Sequence, residues 1–364
     1  MLPAASPAGV RLADVLASQV LSATGARNAL GLPRARRSVL VVVDGLGVAN
    51  LNARAGHART LVAGPRKGIV SGFPTTTAAA LTSLYTGTAP GTHGIVGYDA
   101  LVPGVGVRNQ LRDWGADMEP ETWQRSAPLL ADVPSTVVNE PRYVDSGFTR
   151  ATLRGADYVA ARTIDDRIDA AIEAVHARDG IVSCYVPDLD RIGHERGWQS
   201  DAWIDALERL DGAIARLADR IPAGAGILVT ADHGMVDVPE HRHVVVPPAL
   251  LDGVAHVAGE PRCLQLHRDP SWSGWEATVA AWRAAFDDVA WVATRDELVA
   301  SGWLGDVDDA VLPRIGDLVV AMRGSGALYV REDDPARGMV GQHGSFTSEE
   351  LRVPLVRLGA YSGS

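Results

Sequence analysis

Ser38-Val-Leu-Val-Val-Val43, followed at once by Asp44-Gly-Leu-Gly47, is the stretch that decides how this chain is read. The run is uncharged and shows no apolar/polar alternation, the pattern of a strand covered on both faces. Its abrupt Asp-Gly end delivers a carboxylate at the carboxyl end of that strand, where open α/β sheets hold their ligands. Working outward, the same unit recurs. Gly180-Ile-Val-Ser-Cys-Tyr-Val186 runs into Pro187-Asp-Leu-Asp190, and Gly226-Ile-Leu-Val-Thr230 runs into Ala231-Asp-His-Gly234. Between them lie amphipathic segments, one opened by the capping-box-like Thr163-Ile-Asp-Asp166 and carrying Ile164, Ile168, Ile172 and Val175 on one face. A second carries Ile204, Leu207, Ile214 and Leu217. Strand and helix in alternation predict an α/β fold with a central, mostly parallel sheet and right-handed crossovers.

A further strand is expected at Gly68–Gly72, leading into Phe73-Pro-Thr-Thr-Thr77 and a helix over Ala78–Tyr85 that Gly87 stops. A short helix is expected near Val15–Ala23. From 244 to 332 the texture changes to short strands (263–267 and 317–322), a Trp-rich helix over 275–286 and several turns, read as a small inserted α+β cap. Val353–Leu358 then returns to the core, which comprises 1–243 and 333–364.

A length of 364 residues suits one large domain with such an insert. The net charge of −10 and the lack of a long basic run argue against duplex nucleic acid or an anionic membrane as a partner. A small anionic substrate stays open, because bound metal can reverse the local field. Cys184 and Cys263 are far apart and lack CxxC spacing, so no disulfide framework is expected. With no signal-like or membrane-length apolar run, the chain is expected to be soluble and cytoplasmic.

The polar residues beyond the strands are of one chemical kind. Asp44, Asp190, His194, Asp232, His233 and His343 are carboxylates and imidazoles, a donor set that suits zinc. Singly, Asp44-Gly45 could be a turn, Asp190 and His194 a surface i, i+4 pair, and His343 a loop histidine. Asp232-His233 is harder to dismiss, since it sets two polar groups beside a core. Thr77, after a strand and opening a helix, is placed where the helix N-terminus favours an alkoxide and a phosphoryl group. The Thr75-Thr76-Thr77 run also suits helix capping.

These segments together resemble the alkaline phosphatase superfamily, and within it the type I nucleotide pyrophosphatase/phosphodiesterase family. Phe73-Pro-Thr-Thr-Thr-Ala-Ala-Ala-Leu-Thr-Ser-Leu-Tyr-Thr-Gly87, with Pro90-Gly-Thr-His-Gly-Ile-Val96, is similar to the family's nucleophile segment. Asp190-Arg-Ile-Gly-His194-Glu-Arg-Gly197, Asp232-His-Gly-Met235 and Gly341-Gln-His-Gly344 resemble its later motifs. The resemblance implies an alkaline-phosphatase-like three-layer sandwich and two Zn²⁺, with other divalent ions such as Mn²⁺ possible. One would be held by Asp190, His194 and His343, the other by Asp44, Asp232 and His233 with Thr77. It further implies in-line attack of Thr77 on a phosphodiester or nucleotide pyrophosphate, then hydrolysis of a phospho-threonine. His93 is expected to be structural, and Asp188 to lie near the site without belonging to it.

One departure stands out. The family's diesterases carry an asparagine shortly after His-Gly-Ile-Val, whereas this chain has Gly97-Tyr98; Tyr98 and Asn109 are the candidates to replace it. A phosphomonoester or phosphonate hydrolase is the alternative, with Arg112 and Arg191 as candidates for extra positive charge. A sulfatase would need a Cys/Ser-x-Pro-x-Arg nucleophile, and a phosphoglycerate mutase relative a serine. A non-catalytic binding relative is the reading from another class, and the completeness of the ligand set counts against it. The partner expected is a small phosphate ester, which could be a nucleotide.

Overall fold

The computed structural model describes residues 1–5, 9–63 and 68–363. The buried aliphatic runs become β1 (Arg37–Val43), β4 (Gly180–Val186) and β5 (Gly226–Thr230), with β2 (Ser135–Asn139) and β3 (Asp157–Ala160) preceding β4. A second sheet follows, built from β6 (Val254–Glu260), β7 (Cys263–Arg268), β8 (Ala290–Thr294) and β9 (Leu318–Met322), before the chain returns as β10 (Leu355–Gly359). The central sheet has six strands in the order β10-β5-β1-β4-β2-β3. All its neighbours are parallel except β10, which lies antiparallel on β5.

Register explains why the polar ends meet. Val43 pairs with Val186, and Val42 with Thr230. Asp44, the Pro187–Asp190 turn and the Ala231–His233 turn therefore leave the sheet at one edge, and Asp44 N–H donates to Val186 O at 3.0 Å.

The sheet is covered on both faces by α1 (Ala13–Thr24), α2 (Thr77–Thr86), α3 (Ile164–Ala177) and α5 (Asp201–Arg220), while α4 (Asp188–Arg196) follows β4 directly. Consecutive residues of β4 show this, since neighbours on a strand point to opposite faces. Ser183 hydrogen-bonds Tyr85 of α2, whereas Cys184 donates to Arg167 O of α3. Helix α3 begins with the expected capping box, Thr163 and Asp166 bonding each other's backbone N–H. Val39–Val43 are fully buried between these layers.

One expectation changes. Gly68–Gly72 yields only a two-residue strand, Ile69–Val70, paired with Arg352–Val353 outside the central sheet. Glycine brackets it: Gly68 (φ +60°) packs against Val353 O, and Gly72 sits at φ +128°, both in backbone shapes that end a strand. In its place β2 and β3 extend the sheet.

The second sheet is antiparallel, order β6-β7-β9-β8, and buries Trp282 of α6 (Trp275–Phe286) against it. Its β6–β7 turn is anchored to the core by Arg262, whose guanidinium forms a bidentate pair with Glu350 at 2.8 and 2.7 Å. No helix among the described residues is long and apolar enough to cross a membrane.

Candidate active site

Helix α2 opens with Thr76 as its cap residue and Thr77 as its first residue. The Thr77 hydroxyl lies 3.0 Å from His233 Nε2. Around that contact the sheet edge gathers Asp44, Asp232 and His233 on one side and Asp190, His194 and His343 on the other. His233 Nε2 is 3.4 Å from Asp44 Oδ1 and 3.5 Å from Asp232 Oδ2. Asp190 links the second set, with Oδ2 3.1 Å from His194 Nε2 and Oδ1 3.8 Å from His343 Nε2. The His233 and His343 rings stack at 3.6 Å and join the two sets.

Each ligand-type side chain is half committed. Asp44 accepts from Tyr185 Oη, and Asp232 Oδ1 accepts from Gly45 N and His233 N at 3.2 and 2.9 Å. Asp44 Oδ1, Asp232 Oδ2 and Asp190 Oδ1 are buried without a hydrogen-bond partner. The imidazoles repeat the pattern. His233, His194 and His343 donate from Nδ1 to the carbonyls of Gly234, Gly341 and Thr75, at 3.1, 2.7 and 2.8 Å. A carbonyl only accepts, so each Nδ1 carries a proton; Nε2 of His233 and His343 is left for another partner, the arrangement of metal-binding histidines, while Nε2 of His194 is turned onto Asp190. Two overlapping groups, Asp44/Asp232/His233 and Asp190/His233/His343, bring donor atoms close enough to share an ion. The donor set thus fits divalent metal.

Electrostatics gives the same answer. Burial, reinforced by Asp190 and Asp232, pushes Asp44 well above the usual carboxylate range; burial likewise raises Asp232. For His343, burial and then the His233 ring push it well below the usual value. Burial would also lower His194, but Asp190 overrides it and holds the imidazole up at about 9. Asp190 thus has a cationic partner in His194, whereas Asp44 and Asp232 are buried together at a cost that bound divalent ions would relieve.

In front of Thr77 lies a cavity of about 720 Å³, walled partly by the second sheet through Val257–Glu260 and Leu264. A smaller apolar recess, lined by Leu81, Leu111, Tyr143 and Phe148, opens beside Thr77. Tyr98 lines the main cavity. Asn109 does not. Its amide is spent inside a hairpin (Asp99–Val102 with Gly106–Asn109), donating to Asp99 Oδ1 at 2.8 Å and accepting from Leu111 N and Arg112 N, each at 3.1 Å. The substrate contact expected of Asn109 gives way to bracing of the wall.

His93 is buried with both nitrogens used, Nε2 on Ser83 and Nδ1 accepting from Ile95 N. Asp188 pairs with the fully buried Arg167 and contributes no donor to the cluster. Three supporting roles were not legible in the sequence. Tyr185 holds Asp44; its place one residue before the end of β4, in an otherwise small or aliphatic run, was the available signal. Glu260, with one oxygen 3.7 Å from His343 Nδ1, and Thr75, which holds His343, gave none.

The sequence profile of the type I phosphodiesterase/nucleotide pyrophosphatase family matches residues 38–346. The chain belongs to that family. Solved structures of similar fold include human ectonucleotide pyrophosphatase/phosphodiesterase 5, at TM-score 0.68 and 17% identity over 89% of this chain and 88% of that one. The murine protein, in an inactive form complexed with AMP, aligns at TM-score 0.67 and 16% identity over 88% and 87%. Phosphonoacetate hydrolase from Sinorhizobium meliloti, in complex with phosphonoacetate, aligns at 0.68 and 19% over 90% and 91%. No curated protein sequence matches the chain.

Proposed function

We propose that this family member hydrolyses phosphodiester or nucleotide pyrophosphate bonds with Thr77 as nucleophile and two divalent ions, most simply zinc, as cofactors. One observation carries the reading: three buried carboxylates each keep one oxygen without a partner, three imidazoles are oriented by carbonyls at Nδ1, and all six gather around Thr77, with His194 joined to the cluster through Asp190. Asp44, Asp232 and His233 would hold one ion, and Asp190, His194 and His343 the other. Bound there, divalent ions supply Lewis acidity that lowers the threonine hydroxyl pKa and offsets charge on the phosphoryl oxygens.

The chain's own groups do the rest. Thr77 stands at the N-terminus of α2, whose dipole and free N–H groups favour an anion beside it. Its Oγ1 forms a bond to phosphorus as the bond to the leaving oxygen breaks in line, giving a phospho-threonine. Water then attacks that ester and restores the hydroxyl. Tyr185 and the Gly341 and Thr75 carbonyls fix the ligands in orientation throughout. The 244–332 segment acts as the cap that closes one wall of the cavity and sets the size of the leaving group.

The deciding experiment compares bis-p-nitrophenyl phosphate with p-nitrophenyl phosphate, using zinc-loaded protein and a chelated control. A chelator-sensitive preference for the diester is expected. Preference for the monoester would move the assignment to a phosphatase, and inactivity on both would favour phosphonates, to which one structural neighbour is bound.

A further inference from the structure

The cavity before Thr77 carries three positive side chains that this chemistry does not use: Arg112, Arg142 and Arg191. Two of them already have carboxylate partners, shared with the buried Arg167. Arg142 pairs with Glu140 at 2.5 Å, and Arg191 reaches Asp188 at 3.7 Å. Arg112 differs. Its guanidinium donates to Tyr98 Oη at 3.0 Å and to Asn109 Oδ1 at 3.4 Å, both uncharged acceptors. It also lies 5.8 Å from the Tyr98 ring centroid, a cation–π distance. Among the described residues no carboxylate comes within 4.0 Å of it.

Arg112 is therefore held in a defined place on the cavity wall without a direct ion pair, its charge felt by Asp99 on the same wall, in a chain whose net charge is −10. It is also solvent-exposed, whereas Asp232 and His233 are fully buried. That difference in depth puts Arg112 toward the open end of the cavity, away from the cluster that faces Thr77. A guanidinium preorganised by neutral acceptors keeps N–H groups free for a planar or tetrahedral oxyanion.

We propose that Arg112, braced by Tyr98 and Asn109, binds a second anionic group of the substrate, a carboxylate or a terminal phosphate, distant from the phosphorus that Thr77 attacks. The proposal rests on the reading of Thr77 as a nucleophile toward phosphorus. It also gives Asn109 its place, as a positioning residue for Arg112.

The test measures kcat/KM of wild type, Arg112→Gln and Arg112→Lys on three probes. Bis-p-nitrophenyl phosphate has no second anion, adenosine 5′-diphosphate offers a terminal phosphate, and phosphonoacetate offers a carboxylate. Arg112→Gln should lose about 10- to 100-fold on whichever two-anion probe the wild type hydrolyses, and no more than about twofold on the diester. The lysine variant should recover part of the loss. Which two-anion probe suffers separates terminal phosphate from carboxylate. Equal loss on all probes would place Arg112 at the reacting phosphorus and overturn the proposal, as would no loss on any.

Binding gives a readout independent of turnover. In metal-loaded Thr77→Ala protein, calorimetry should show pyrophosphate binding more tightly than orthophosphate, with that advantage reduced about tenfold or more by Arg112→Gln. An advantage untouched by the substitution would overturn the subsite even if the wild type hydrolyses every probe. Inactivity of the wild type on all three probes, with the advantage still dependent on Arg112, would instead sink the catalytic reading and leave the subsite standing.

Discussion

Two buried polar assemblies each take one member from the last part of the chain, His343 in one and Glu350 in the other, and they are built in opposite ways. The Arg262–Glu350 pair is closed. Its guanidinium also donates to the Gly326 and Gly324 carbonyls at 2.6 and 2.9 Å, and Glu350 accepts from Ser345 N and Thr347 Oγ1 at 3.0 and 2.5 Å. The cluster around Thr77 is open, with one oxygen left over on each of Asp44, Asp190 and Asp232. A finished pair locks the second sheet onto the core. An unfinished one is a site that needs something from outside the chain. The histidines repeat the contrast: both nitrogens of His93 find protein partners, whereas the cluster histidines spend Nδ1 on carbonyls and turn Nε2 inward.

The open side should break first in activity. Thr77→Ala removes the hydroxyl proposed to attack phosphorus and should lower turnover by at least about 10³-fold, measured with the diester, while leaving the melting temperature nearly unchanged. Turnover within tenfold of wild type would remove Thr77 as nucleophile.

The closed side should break in stability. Arg262→Met leaves Glu350 as an uncompensated buried charge and should cost about 3–5 kcal/mol in denaturant unfolding. A cost under 1 kcal/mol would mean the pair is not the lock described here. The loss should spread to the site, because Ser345 and Gly344 connect this pair through Thr75 to His343.

His93 supplies the smallest effect. Burial, with Arg314 nearby, pushes its imidazole down to about 3, so it stays neutral in the fold while the unfolded chain protonates near 6.5. A group with depressed folded-state affinity for protons loses stability as pH falls. Metal-free protein should therefore lose about 2 kcal/mol between pH 6.5 and 5 from this residue. His93→Gln should flatten that part of the profile; an unchanged slope would assign it elsewhere.

Legibility in the sequence followed burial and chain distance. β1, β4 and β5 could be read because both faces are covered and their apolar runs are unbroken. β3, an edge strand with exposed Asp157, Val159 and neighbours, has no apolar pattern to read. Ile69–Val70 was over-read because β-branched residues between glycines look alike in a sheet interior and in a two-residue bridge. Asp44, Asp232 and His233 were visible because they lie just beyond strands and His343 because glycines flank it, whereas Asp190 and His194 lie within α4 and were visible as an i, i+4 pair. Their supports were not: Tyr185 meets Asp44 across 141 residues, and Arg262 meets Glu350 across 88. Asn109 was misjudged for a local reason, since its amide looks free in sequence and is consumed by its own hairpin.

The most direct test of the account is a calorimetric zinc titration of metal-free protein, wild type beside Asp232→Asn. The account predicts two equivalents for the wild type and one for the variant, whose metal-free form should be at least as stable as wild type because a buried unpaired charge is gone. Zinc at a hundred times the dissociation constant of each site should raise stability by about 2.7 kcal/mol per occupied site, so by about 5 kcal/mol in the wild type and about half that in the variant. No zinc uptake, or an identical stoichiometry in both proteins, would contradict the claim that these open carboxylates and imidazoles form a two-metal centre.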